Sequence, residues 1–191
     1  MYQAISIRQM TVNDAVLLNS VCIQTYSLNF SHHWEEGGLE GYVEDVFGHD
    51  MLLEELQDSD ILYYVAFINE EPVAFMKLVR SPEIAAVKMT EDIELDKLYV
   101  LPDRKGMQIG RKLMDFAFEL AARENRQRCW LVVLESNTPA ISFYERLGFR
   151  FYSRLSIHYP LFKEERRPAL RMCLELPPQR DMPQRDMNAV C

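Results

Sequence analysis

Apolar and polar residues alternate along Ala4–Gln9, the two-residue period of a strand with one buried face. The period then lengthens. Thr11 is placed to cap a helix, with Asp14 three positions on as a partial capping box, and Ala15, Leu18, Cys22 and Tyr26 follow at helical spacing. Leu39, Tyr42, Val43, Val46 and Phe47 predict a second helical region, and Met51–Leu56 predicts a further turn or two. Ser31–Gly38 between them is a glycine-ended loop, a kind of segment that carries specificity more often than a core does. Ile61–Ile68 and Val73–Val79 flank Asn69-Glu70-Glu71-Pro72 and predict a β-hairpin, after which Ser81–Thr90 reads as a loop. Ile93–Val100 is the next strand, followed by Leu101-Pro102-Asp103-Arg104 and a basic, glycine-bearing turn, Lys105–Gly110, that opens a helix running to about Asn125. Cys129–Leu134 predicts a buried strand and Thr138–Leu147 a short helix with Pro139 at its start and Gly148 closing it. Phe149–Tyr159 and Ala169–Leu176 predict a final antiparallel pair of strands.

A chain of 191 residues, 48% of them hydrophobic, can bury one ordinary core, so residues 1–176 are read as a single domain. Beyond them Pro-Gln-Arg-Asp-Met occurs twice, at Pro178–Met182 and Pro183–Met187, and so few apolar residues predict a disordered tail over 177–191. The 21 basic and 29 acidic residues give a formal charge of −8 with no long basic run, which argues against nucleic acid as a partner and favours a cationic small molecule. Cys22, Cys129, Cys173 and Cys191 have no metal-like spacing and read as reduced thiols. With no apolar window of membrane-spanning length and no basic-then-apolar leader pattern, a cytoplasmic protein without a membrane partner is expected.

The turn after the Glu94 strand carries the first chemistry. Free backbone N–H groups at a helix N-terminus, beside cationic side chains, suit a phosphate-bearing ligand. A short Gly-x-x-x-Gly turn alone would be an ordinary strand-turn-helix. Here it is preceded by Leu98-Tyr99-Val100 and followed by Asn137, Phe143-Tyr144 and Leu147-Gly148-Phe149. In that order and spacing the chain resembles the GCN5-related N-acetyltransferase (GNAT) family. The resemblance covers roughly Ala4–Leu176 and is greatest to bacterial spermidine/spermine N-acetyltransferases, through Thr25-Tyr26, Phe30, Tyr42, Phe47, Leu56 and Tyr63-Tyr64-Val65-Ala66.

The resemblance implies an α/β (α+β) fold with a central mixed, mostly antiparallel twisted sheet flanked by helices on both faces. It implies acetyl-CoA as acetyl donor, with no metal and no covalent acyl-enzyme, and a small-molecule amine as acceptor, and it is compatible with a homodimer of the kind many relatives form. Cofactor contacts fall on Leu98, Tyr99, Val100, Lys105, Gly106, Met107, Gln108, Ile109, Gly110, Arg111, Asn137 and Tyr144. Two of these depart from the family's Arg/Gln-x-x-Gly-x-Gly/Ala turn: Lys105 keeps a cation without the planar fork, and Gln108 puts a side chain where glycine is usual. Tyr144 takes the place of the phenol that protonates the leaving thiolate, and Glu94 that of the base which removes a proton from the amine. Asp96 is the competing carboxylate, and strict alternation would turn Glu94 and Asp96 to the same face as Leu98 and Val100. Other readings of the same residues remain open: Glu94 as a solvent-facing or cation-binding residue, and the whole as a protein or peptide N-terminal acetyltransferase, or a CoA-binding sensor without turnover. His32, His33 and His158 are expected on surface loops, and Glu35, Glu36, Glu44 and Asp45 on a solvated face that could meet a polyamine.

Overall fold

The computed structural model describes residues 4–177, so the repeated C-terminal segment lies outside the described residues. Along the chain come β1 (Ile5–Gln9), α1 (Ala15–Phe30), α2 (Gly38–Phe47), α3 (His49–Gln57), β2 (Ile61–Ile68), β3 (Glu71–Arg80), β4 (Glu83–Ile84), β5 (Val87–Lys88) and β6 (Asp92–Val100). Then follow α4 (Ile109–Arg123), β7 (Arg128–Leu134), α5 (Thr138–Arg146), β8 (Arg150–Ser156) and β9 (Pro168–Glu175). The expected Thr11 box forms: its N–H and hydroxyl donate to the Asp14 carboxylate at 3.0 and 2.8 Å, and a short 3-10 turn leads into α1. The Ser81–Thr90 segment is not a plain loop but folds into the small β4–β5 hairpin.

Seven strands form one sheet in the order β1-β2-β3-β6-β7-β9-β8. Every neighbouring pair is antiparallel except β6 and β7, which are joined through α4 and therefore run parallel. The final antiparallel pair is present, but β9 enters between β7 and β8 rather than extending the sheet beyond β8. Helices cover both faces because most strands are apolar on both sides. Against one face α1, α2 and α3 bury Leu18, Tyr26, Phe47, Tyr63 and Phe75. Against the other, α4 and α5 pack on Leu78, Leu95, Leu113, Met114 and Phe149.

Strand β6 does not keep strict alternation. Opposite β3, Lys77 pairs with Lys97 but the next residue, Leu78, pairs with Leu95, so Asp96 is an extra residue in a β-bulge. Ile93 and Leu95 face α4 before the bulge, and Leu98 and Val100 face it afterwards. Glu94 therefore points to the α1–α3 face, as do Lys97 and Tyr99 beyond the bulge. The expectation that Glu94 and Asp96 share a face with Leu98 and Val100 is corrected by this single inserted residue.

Candidate active site

The bulge also ends the parallel pairing. Strands β6 and β7 are in register only over Asp92–Leu95 and Arg128–Leu131, and beyond that they diverge. Leu101 N–H bonds to the Val73 carbonyl of β3, so alternation along the strand turns the peptide groups of Leu98 and Val100 the other way, toward the gap. A cleft of about 600 Å³ fills that gap. Its walls include Leu98, Tyr99 and Val100 from β6, Asn137 and Tyr144 at α5, and Lys105, Gly106, Gln108, Ile109, Gly110 and Arg111 from the turn into α4. Two expected residues lie elsewhere: Met107 is exposed and outside the cleft wall, and Glu94 is on the opposite side of the sheet.

At the mouth of the cleft the first bond of α4 runs from Lys112 N–H to the Gln108 carbonyl, so the N–H groups of Ile109, Gly110 and Arg111 find no acceptor within the helix. Fifteen residues of helix stand behind them with the positive end of the dipole at the cleft. Gly106 has φ +83°, with open space where a Cβ would stand. Gln108 has φ +61°, left-handed backbone that costs a non-glycine residue about 1 kcal/mol or more. The turn thus keeps the geometry that glycine would give, and it does so under strain.

The charge lining the cleft is opposite to that of the whole chain. Arg104, Lys105, Arg111 and Arg146 line it, and among its described lining residues Asp96 is the acidic one, already engaged by lysines. A polyanionic ligand with a long arm fits such a cleft: phosphates at the cationic mouth, and the arm against the free peptide edge of β6. Arg104 and Arg146 were not legible as site residues, since nothing in their neighbourhood distinguishes them from surface arginines. Asn29 of α1 was likewise missed. It lines the cleft and donates to the Val100 carbonyl at 3.0 Å and to the Thr25 carbonyl at 2.8 Å, fastening α1 to the rim.

Tyr144 is carried into the cleft by α5. Asn137 caps that helix by accepting the Ala140 N–H at 3.3 Å, and Gly148, at φ +101°, turns the chain away at its end. Tyr144 packs against Phe143 and Phe149, and burial pushes its hydroxyl above the ordinary phenol range. It therefore stays protonated at neutral pH.

The two acidic residues of β6 have opposite surroundings. Burial raises the Glu94 carboxyl above its usual value and neighbouring Asp96 adds to the effect, against the pull of Arg171, Lys97 and Lys77. Burial would also raise Asp96, but the ammonium groups of Lys97 at 2.7 Å and Lys77 at 3.2 Å outweigh it and hold Asp96 below the usual carboxylate range. The histidines divide as well. His33 is buried, contrary to expectation, between Phe30 and Phe162; burial, His32, Arg166 and Lys163 push its imidazole down to about 4, so it is neutral at pH 7. Glu44 and Asp45 are exposed on α2, where Asp45 accepts the Tyr159 hydroxyl. No cluster of metal-binding side chains occurs among the described residues, and no described helix is long and apolar enough to cross a membrane.

A strand interrupted by a bulge, a divergent parallel neighbour and a helix N-terminus over the gap together form a cleft suited to a phosphate-bearing ligand. The family model for the acetyltransferase (GNAT) family matches residues 26–149, and the chain belongs to that family. It is an N-acetyltransferase with acetyl-CoA as cosubstrate. A spermidine N(1)-acetyltransferase of Thermoplasma acidophilum is 26% identical over 151 residues, covering 77% of this chain and 89% of that protein. A streptothricin acetyltransferase of Streptomyces lavendulae is 38% identical over 87 residues, covering 46% of this chain and 43% of that protein. Among solved structures, the PaiA N-acetyltransferase of Thermoplasma acidophilum in complex with coenzyme A superposes with a TM-score of 0.72 at 22% identity, covering 90% of this chain and 99% of that one.

Proposed function

We propose that the enzyme acetylates a small primary amine of the polyamine type by direct transfer, with Glu94 as base and Tyr144 as acid. The observation that carries the polyamine reading is the spermidine acetyltransferase likeness, which runs along 89% of that relative. The streptothricin enzyme, in contrast, is matched over less than half its length. The physical setting supports the same reading: the chain bears a net charge of −8, so its overall field attracts a cation.

Acetyl-CoA supplies the acetyl thioester and a thiolate leaving group. Lys105, Arg111 and the N–H groups of Ile109 and Gly110 would hold its phosphates, with Gly106 and Gln108 shaping the turn, while Leu98, Tyr99, Val100 and Asn137 would hold its arm. An N–H on the free edge of β6 near Leu98–Val100 would stabilise the negative charge that develops on the acetyl oxygen. Glu94 accepts the proton that an alkylamine, with a pKa of about 10, carries at neutral pH. Its raised proton affinity makes it a better base than an exposed glutamate, and Asp96, bound by two lysines, has less to offer. On the other side of the gap Tyr144 donates from its hydroxyl toward the departing sulfur. A raised phenol is a weak acid, so its contribution is chiefly a hydrogen bond to charge on sulfur, completed by proton transfer.

The test is thiol release from acetyl-CoA across spermidine, spermine, amino acids, aminoglycosides and N-terminal peptides, with acetyl-CoA binding followed by calorimetry. Turnover on spermidine or spermine at one thiol per acetylated amine is expected. Turnover confined to peptides would replace the polyamine reading with N-terminal acetylation.

A further inference from the structure

Asp96, the extra residue of the β6 bulge, is held from two sides. Lys97 is its neighbour on the strand, and Lys77 reaches it from β3, directly opposite the point where the register slips. Lys77 is itself buried and pairs at 2.6 Å with Glu55 of α3, which also accepts the Tyr63 hydroxyl of β2. Two carboxylates and two ammonium groups thus balance in one chain of contacts that spans α3, β2, β3 and β6. Such a network fixes its members in place only while each is paired, because a lone buried charge is costly.

Glu94 stands two residues before Asp96 and on the same face of the sheet. It has no hydrogen bond or ion pair among the described residues. The charged groups facing it are Asp96 and Lys97 from β6, Lys77 from β3 and Arg171 from β9, whose Nε is buried without a partner. Of these Asp96 is the anion, and the network keeps it from moving or being neutralised. We propose that Asp96 is a positioning residue: clamped in the bulge by Lys77 and Lys97, two residues from Glu94 and on the same face, its fixed negative charge adds to the effect of burial and makes Glu94 more basic. The direction of the Glu94 shift, upward through burial first and Asp96 second, agrees. The consequence for catalysis rests on Glu94 being the base, as proposed above.

The test is a pH titration of the Glu94 carboxyl by carbon-13 NMR, assigned with Glu94→Gln, in the whole chain and in Asp96→Asn and Lys97→Gln. Asp96→Asn is expected to move the titration of Glu94 to lower pH. Lys97→Gln, which removes a cation facing the same carboxyl, is expected to move it to higher pH. Opposite signs distinguish charge coupling from a loosened bulge, which would shift both variants the same way. Shifts of the same sign, or none in the variant that folds, would overturn the proposal. The acid limb of kcat/KM, read with whichever amine the wild type accepts, should follow the titration in each variant. A titration that moves while the acid limb stays would support the coupling and remove Glu94 as the base.

Discussion

The two faces of the sheet are built from different materials. Toward α4 and α5 the buried side chains are mainly aliphatic, with Leu78, Ile93, Leu95, Leu113 and Met114 in one continuous cluster. Toward α1–α3 half of them are aromatic, Tyr26, Trp34, Phe47, Tyr63, Phe75 and Phe162, and beside them sit the buried Lys77 and its partners Glu55 and Asp96. Tyr144 belongs to the first face and lines the cleft between β6 and β7, whereas Glu94 belongs to the second and lies outside the cleft wall, where β6 and β7 are still paired. A face that only has to hold the donor cleft can be packed with hydrocarbon. A face that holds the Glu55–Lys77–Asp96–Lys97 network carries charge at some cost to stability.

The sharpest break of that contrast is a cavity on the aliphatic side. Leu113→Ala removes a fully buried side chain and is expected to cost about 2–5 kcal/mol in urea unfolding, while leaving the pH dependence of turnover unchanged. A shifted acid limb in this variant would mean that the faces are not separable. Next, Tyr144→Phe is expected to lower kcat by about 10²-fold or more with acetyl-CoA affinity near wild type. An unchanged kcat would deny the phenol its role and leave donor binding as the business of that face.

Glu94→Gln tests the other face through two readouts of opposite sign. Turnover should fall by about 10²-fold near neutral pH, and the gap should narrow as pH approaches the pKa of the amine. Stability should rise. A carboxyl raised in the folded protein contributes stability that is complete below its unfolded value, near 4.5, and is lost as pH rises through the folded value. The glutamine variant should therefore be the more stable one at pH 7, with the advantage gone below about pH 4.5. Asp96 runs the other way: its lowered carboxyl stabilises above 3.8 and loses that contribution on acidification, so Asp96→Asn should destabilise at neutral pH. The smallest effect is expected at the mouth of the cleft. Gln108→Gly relieves left-handed strain and should raise stability by no more than about 1 kcal/mol, because the added freedom of glycine in the unfolded chain offsets part of the gain.

Periodicity alone located the helices and the long strands, because burying one face imposes a local repeat of 3.6 or 2 residues. The turn at Lys105–Gly110 and the short helix that carries Tyr144, with Pro139 at its start and Gly148 closing it, were also legible, since tight turns and helix ends need particular residues at fixed local spacing. Glu94 could be named but not aimed. The bulge at Asp96 depends on how β6 pairs with Lys77 and Leu78 some twenty residues away, and a one-residue slip turns every side chain before it to the opposite face. For the same reason the insertion of β9 between β7 and β8, the reach of Asn29 to Val100 and the Glu55–Lys77–Asp96 network were decided by tertiary structure. Each joins residues far apart in the chain, and a linear pattern carries no record of which distant partner will neutralise a charge or accept a hydrogen bond.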